Sequence, residues 1–286
     1  MTWTVRSLLA WAREWLASKG VESPRLDAEL LLASALGCDR VRLYIDVDKP
    51  LAPEELARFK PLVQRRAARE PVAYILGSKE FYGRSFDVCP GVFIPRPETE
   101  LLVQLALEAI PRGAEVRVLD LCAGSGAVGV TIAAERPQVR VDLVELSPQA
   151  AEVARRNAEK HAPGRAVVLQ GDLYGALPPG QRYPVIVANP PYVPLADAQR
   201  LAPDILDHEP HLALFAGGDG LEVLRALIGG LRGRLEPGGL FGAEIDPPQS
   251  ARVADLCKAA GLSGVRVVRD LAGLDRHVTG RAAGEG

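Results

Sequence analysis

The 286-residue sequence predicts an α/β fold: a largely parallel sheet covered on both faces by helices, preceded by a small helical-bundle domain. Three observations carry this. The β-branched run Val185-Ile186-Val187-Ala188 has the length of a buried strand and stops abruptly at Asn189-Pro190-Pro191-Tyr192. A second run, 116–121, turns through Cys122-Ala123-Gly124-Ser125-Gly126-Ala127-Val128-Gly129 into the apolar stretch 130–134, which reads as strand, glycine turn, helix. From about residue 94 onward helical and strand periods alternate, whereas before residue 78 only helical spacing is found.

In the first part, residues 1–77, Val5, Leu8, Leu9, Ala12, Trp15 and Leu16 recur at helical spacing and Gly20 supplies a stop. Ser23 as N-cap and Pro24 as first helical residue open a second helix that Gly37 closes. A third starts near Pro53-Glu54-Glu55, where acidic side chains suit the positive end of the dipole. It carries Arg58, Lys60, Arg65, Arg66 and Arg69, as a docking face or as a solvated face. Residues 78–93 form a β-hairpin linker: the pattern is strand-like from Phe81 to Phe93, with Gly83 and Pro90-Gly91 as turn signals.

The second domain, 94–286, reads in order as helix 98–110, strand 116–121, helix 127–135, strand 139–145, helix 148–161 and strands 166–170 and 184–188. Helix 219–233, strand 239–245, helix 248–260 and two closing strands near 264–269 and 275–280 complete it, and residues 282–286 are expected to fray.

Composition narrows the function classes. A hydrophobic content of 48% supports a sizeable core, and a formal net charge of −2 argues against a broad nucleic-acid-binding surface. Cys38, Cys89, Cys122 and Cys257 lie far apart without CxxC spacing, so neither zinc nor a disulfide framework is indicated, and a reducing cytoplasm is expected. No apolar run reaches transmembrane length, and Arg6, Arg13 and Glu14 interrupt what would be a signal-peptide core. His208 and His211 form an HxxH, but Pro210 stands between them with no third ligand nearby, so no metal is expected.

The chemistry-bearing residues sit where open α/β sheets bind ligands, beyond the carboxyl ends of strands. Asn189 offers a side-chain oxygen and Pro190 a backbone carbonyl with no N–H to compete, which is a pair of acceptors suited to an NH2 group. Tyr192 adds an aromatic face. Gly124, Gly126 and Gly129 satisfy GxGxxG, a weak pattern that fits a dinucleotide site as well. Glu145, at the end of the next strand, is placed to hold the two hydroxyls of a ribose in either kind of site. The NPPY clamp decides between them, since hydride transfer has no use for it.

Taken together, Ile94-Pro95-Arg96-Pro97-Glu98-Thr99-Glu100, the DLCAGSG turn, NPPY, His208-Glu209-Pro210, Asp270-Leu271-Ala272-Gly273 before Arg276, and Glu70-Pro71-Val72-Ala73-Tyr74-Ile75-Leu76-Gly77 resemble the HemK/PrmC family. The resemblance implies a class I, seven-stranded, Rossmann-like methyltransferase. Such an enzyme uses S-adenosyl-L-methionine, releases S-adenosyl-L-homocysteine and methylates the side-chain amide nitrogen of a glutamine, in the family's best-known case that of the GGQ motif of peptide chain release factors. It makes Cys122, Ala123, Gly124, Ser125 and Gly126 the turn beneath the methionine moiety, Glu145 the ribose ligand, and Asp172 and Leu173 the neighbours of adenine. Asn189 would touch both cofactor and substrate, while Phe93, Pro190, Pro191 and Tyr192 would line the glutamine pocket. The chain departs from the pattern at Cys122, where the family usually has glycine, and at Glu244-Ile245-Asp246, where it usually has Glu-x-Gly.

The partner implied is a release factor docked on the helical domain, with no nucleic acid, no membrane and a monomeric enzyme expected. Three other readings stand beside it: a nucleic-acid exocyclic-amine methyltransferase, a ribosomal-protein glutamine methyltransferase and a non-catalytic S-adenosylmethionine-binding protein. The first would need a basic channel that the sequence does not display.

Overall fold

In the computed structural model, residues 2–284 are described. They fall into two units, one running to Ser78 and taking in Ala202–His208, the other formed by Lys79–Leu201 and the chain from Glu209 onward.

The first unit is helical. Helix α1 (Val5–Ser18) begins in a reciprocal capping box, Thr4 Oγ1 accepting the Ser7 N–H at 3.3 Å and Ser7 Oγ accepting that of Thr4 at 2.9 Å. Pro24 opens α2 (Pro24–Leu36) as expected, but Ser23 makes no side-chain capping bond, and Gly37 closes the helix at φ +64°. Two further helices, α3 (Arg40–Ile45) and α5 (Val72–Leu76), flank α4 (Pro53–Ala67). At six and five residues they are too short to show a period in the sequence. Leu8, Leu16, Leu31, Leu43, Phe59 and Val63 form the core of this unit.

Of the basic residues of α4 and its C-terminal end, Arg58, Lys60 and Arg65 are exposed, whereas Arg66 is buried and Arg69 half-buried, and the four arginines also bond within the unit. Arg58 Nε donates to the Ala35 carbonyl at 2.7 Å, Arg65 pairs with Glu70, and Arg69 pairs with Asp204. Arg66 is buried; its guanidinium lies 2.6 Å from both Asp27 Oδ2 and Asp204 Oδ2. Burial raises the Asp27 pKa although Arg66 pulls it down, and removing one partner of such a buried pair costs about 3–5 kcal/mol. Asp204 thereby ties the segment Ala202–His208 into the helical unit.

The second unit starts with the hairpin β1 (Ser78–Phe81) and β2 (Arg84–Asp87). The hairpin closes earlier than the sequence suggests: Tyr82 and Gly83 both have positive φ, a two-residue turn that fixes the pairing, and the chain from Val88 on is not strand. A 3-10 turn at Pro97–Thr99 leads into α6 (Glu100–Ala109). Then follow β3 (Arg117–Leu121), α7 (Ala127–Glu135), β4 (Arg140–Glu145), α8 (Pro148–His161), β5 (Ala166–Gln170) and β6 (Tyr183–Ala188). Two single turns, α9 (Pro203–Leu206, in the helical unit) and α10 (His211–Leu214), precede α11 (Glu222–Gly230), β7 (Leu235–Glu244), α12 (Ser250–Ala259), β8 (Ser263–Arg269) and β9 (Asp275–Arg281). Ala282 is not frayed, since it exchanges backbone hydrogen bonds with Gly238 and Gly239; Glu285 and Gly286 lie outside the described residues.

The seven-stranded sheet has the order β5-β4-β3-β6-β7-β9-β8. From β5 to β7 neighbours are parallel, and β9 runs antiparallel to both β7 and β8. Alternation along each strand feeds two cores. Val118, Val185 and Val187 pack with α6 and α7, whereas Leu119, Ile186, Ala188 and Phe241 pack with α11 and α12. The strand order reverses between β3 and β6, and a crevice forms at the carboxyl ends of strands at such a switch point. Those ends run into Cys122 and Asn189.

Candidate active site

Register brings the predicted residues to one edge. Leu121 pairs with Val144 and with Ala188, Ala188 pairs with Ala243, and Glu145 pairs with Gln170. The glycine turn, Glu145, the 171–173 loop, Asn189 and Glu244 therefore follow or end five neighbouring parallel strands on the same side of the sheet.

The turn after β3 is held from beneath. Gly126, at φ +81°, donates its N–H to the Ala123 carbonyl at 2.8 Å and stands as N-cap of α7. Gly129 packs so closely that a Cβ there would come within 2.8 Å of Asp120 Oδ2, and its N–H donates to that same oxygen at 2.8 Å. Ser125 is buried, and its carbonyl accepts from Asn157 Nδ2 at 2.9 Å. Above the turn the space opens: a Cβ on Gly124 would meet nothing within 4 Å. Cys122 takes φ +58°, a left-handed conformation in which a side chain costs about 1–2 kcal/mol, so the backbone here keeps the shape of a glycine turn without glycine. Leu173, in the loop after β5, is likewise left-handed at φ +41°, and Asp172 beside it is exposed.

Glu145 is buried, and both its oxygens are oriented. Oε2 accepts the Gly124 N–H at 2.7 Å and Oε1 accepts that of Ser147 at 2.8 Å. Burial raises its pKa while those N–H groups lower it, and each oxygen keeps a lone pair for a hydroxyl. Burial also pushes the Cys122 thiol up, reinforced by Glu145, Asp120 and Asp172, so it remains a thiol and not a nucleophilic thiolate. Open space over Gly124, oriented acceptors on Glu145 and an unreactive thiol together fit a ribose-bearing sulfonium cofactor.

At β6, Asn189 is half-buried and donates from Nδ2 to Thr99 Oγ1 at 3.2 Å. Thr99 in turn donates to Glu244 Oε2 at 2.6 Å, and Tyr192 donates its hydroxyl to Glu244 Oε1 at 3.1 Å. Burial, then the Glu244 charge, raises the Tyr192 pKa, so the ring stays a neutral phenol. Gln249 Nε2 holds the Tyr192 carbonyl at 2.9 Å, and Pro190 is buried with Pro191 half-buried beside it. Phe93 is half-buried beneath the Arg96 guanidinium, 4.8 Å from the ring centroid. Arg96 pairs with buried Glu209, which also accepts the Ile94 N–H at 3.2 Å, so the HEP and IPRP motifs are latched together.

Thr99, Glu244, Glu209 and Asn157 had no assigned role in the sequence reading. Thr99, Glu244 and Glu209 lay inside quoted motifs, but only the fold shows what they touch. Among the described residues, no group of three or more His, Cys, Asp or Glu side chains is placed to hold a metal ion.

Among known proteins, the PrmC N-terminal domain model matches residues 7–77, and the methyltransferase small domain model matches 86–227, a span that includes the segment Ala202–His208 that packs with the helical unit. A release factor glutamine methyltransferase of Geobacter sulfurreducens is 45% identical over 279 residues, covering 98% of this chain and 97% of that protein. One from Burkholderia pseudomallei is 44% identical over 286 residues, covering 98% and 99%. The chain belongs to the release factor glutamine methyltransferase family. Membership makes it an S-adenosylmethionine-dependent methyltransferase and accounts for the sheet order. The fold is shared with a methyltransferase from Pyrococcus furiosus, at 19% identity and a TM-score of 0.52 over 78% of this chain and 98% of that one. Family membership also sets aside the non-catalytic reading.

Proposed function

We propose that this enzyme methylates the side-chain amide nitrogen of the glutamine in the GGQ motif of bacterial release factors. The observation that carries this reading is the Asn189 amide. Its nitrogen is committed to Thr99, which leaves Oδ1 as an acceptor next to Pro190 at the topological switch point.

An amide nitrogen is a poor nucleophile because its lone pair is delocalised into the carbonyl. If Asn189 Oδ1 and the Pro190 carbonyl each take one N–H, they fix the plane of the NH2 group, favour its pyramidalisation and aim it for in-line displacement. The same two acceptors stabilise the positive charge that grows on nitrogen. Phe93 and Tyr192 would wall the glutamine side chain. S-adenosylmethionine, held by the turn from Cys122 to Gly126, by Glu145 and beside Asp172 and Leu173, supplies an electrophilic methyl group on a sulfonium centre. The extra proton of the methylated amide is acidic enough to leave to water, so no strong base and no metal are needed.

The helical unit would dock the body of the release factor, since a short GGQ loop buries too little surface for a stable complex, which needs roughly 1,200–2,000 Å². An aromatic cluster with two exposed members supports this: exposed Trp11 stacks on half-buried Trp15 at 5.2 Å and meets exposed Trp3 edge-on at 6.1 Å. We propose a cytoplasmic monomer that engages no nucleic acid. Incubation with labelled S-adenosylmethionine and purified release factor, ribosomal protein or DNA tests the reading: label should enter the release factor, and label on DNA alone would refute it.

A further inference from the structure

We propose that Thr99 and Glu244 are positioning residues that set which atom of the Asn189 amide faces the substrate. This rests on the reading of Asn189 as the substrate clamp and adds what holds the clamp in its working orientation. An asparagine amide presents an acceptor at one end and donors at the other, and a flip would turn an attractive contact to the substrate NH2 into a repulsive one. Something must choose. The choice is made at Thr99: its hydroxyl proton is given to Glu244 Oε2 at 2.6 Å, so toward Asn189 it has only lone pairs, and these take Nδ2–H at 3.2 Å. Oδ1 is thereby the end left outward.

Glu244 is suited to anchor this relay. It ends β7, an interior strand between β6 and β9, is paired with His277 of β9, and is 1% exposed. Its other oxygen accepts from Tyr192, so one carboxylate fixes both the clamp and the aromatic ring beside it. Each bond polarises the next in a dry environment, which makes the set more rigid than its members alone. This also gives Glu244-Ile245-Asp246 a role: the first residue is needed for its carboxylate, whatever follows.

The test compares Thr99→Val, which keeps the shape and removes the hydroxyl, with Thr99→Ser, which restores it. In Thr99→Val, kcat at saturating cofactor and release factor should fall about tenfold to a hundredfold, the loss expected for a misplaced reacting group. Both KM values should stay within about twofold, and Thr99→Ser should recover most of the turnover. A neutron crystal structure of perdeuterated Thr99→Val, which tells Oδ1 from the deuterated Nδ2, should show the Asn189 amide rotated or in two orientations. An unmoved amide, or Val and Ser variants equally active, would overturn the relay. Wild-type enzyme that transfers no methyl to release factor would sink the functional reading instead, and the orientation of Asn189 in the Thr99→Val crystal would still decide the relay.

Discussion

Glu145 accepts the Gly124 N–H on Oε2 at 2.7 Å, so the residue proposed to hold the ribose also fixes the turn proposed to lie under the methionine moiety. One carboxylate organises two parts of the cofactor site. Glu145→Ala removes this bond and the one from Ser147, each a charge-assisted interaction of about 1.5–3 kcal/mol. Calorimetry should show S-adenosylmethionine binding weakened at least about tenfold, or ~1.4 kcal/mol. Unchanged affinity would remove Glu145 from the site.

Cys122 offers a stability test. At φ +58° its side chain is strained, whereas glycine is at ease there but loses more chain entropy on folding. The net for Cys122→Gly should be a gain of about 0.5–1 kcal/mol, or roughly 1–4 °C in the thermal midpoint. A lower midpoint would mean that the thiol packs better than its backbone suffers.

Much of this was legible in the sequence because the informative residues punctuate strands. The run 185–188 ending at Asn189-Pro190, and the glycines after 121, mark strand ends whatever the tertiary context, and helices α7 and α8 and strand β5 were readable to the residue. What stayed hidden depended on contacts between distant parts of the chain. Arg66 looks like one of several surface cations until Asp27 and Asp204 are seen around it. Thr99 is an ordinary residue of a proline-rich motif until the sheet brings Glu244 and Asn189 to it. Helices α3 and α5 escaped because one or two turns show no period.

Asp120 predicts a pH dependence. Burial pushes its carboxyl up from 3.8 to about 7, with the Gly129 N–H opposing and the Glu145 charge adding. Between these values the folded chain holds a proton that the unfolded chain has released, so folding stability falls as pH rises from about 4 to about 7. Asp120→Asn can still accept the Gly129 N–H but carries no such penalty. Its stability relative to wild type should therefore rise across that window, by on the order of a few kcal/mol. Urea denaturation at pH 4.5, 6 and 7.5 measures this, and a difference that does not change with pH would contradict the assignment.

Trp11 separates docking from chemistry. If the helical unit grips the release factor through its aromatic cluster, Trp11→Ala should raise KM for intact factor about tenfold, as expected for loss of a hot-spot aromatic. KM for a short GGQ peptide should not change. Equal effects on both substrates would make the cluster a structural element only.

Tandem mass spectrometry of a release factor after incubation with enzyme and S-adenosylmethionine bears on the Asn189 clamp itself. Wild-type enzyme should add one methyl group to the side-chain amide of the GGQ glutamine. Asn189→Ala should bind cofactor nearly as well yet produce that mark about a hundredfold more slowly, the cost of losing one transition-state contact of about 3 kcal/mol. A methyl group on any other residue, or an Asn189→Ala enzyme that marks the glutamine at the wild-type rate, would contradict the assignment.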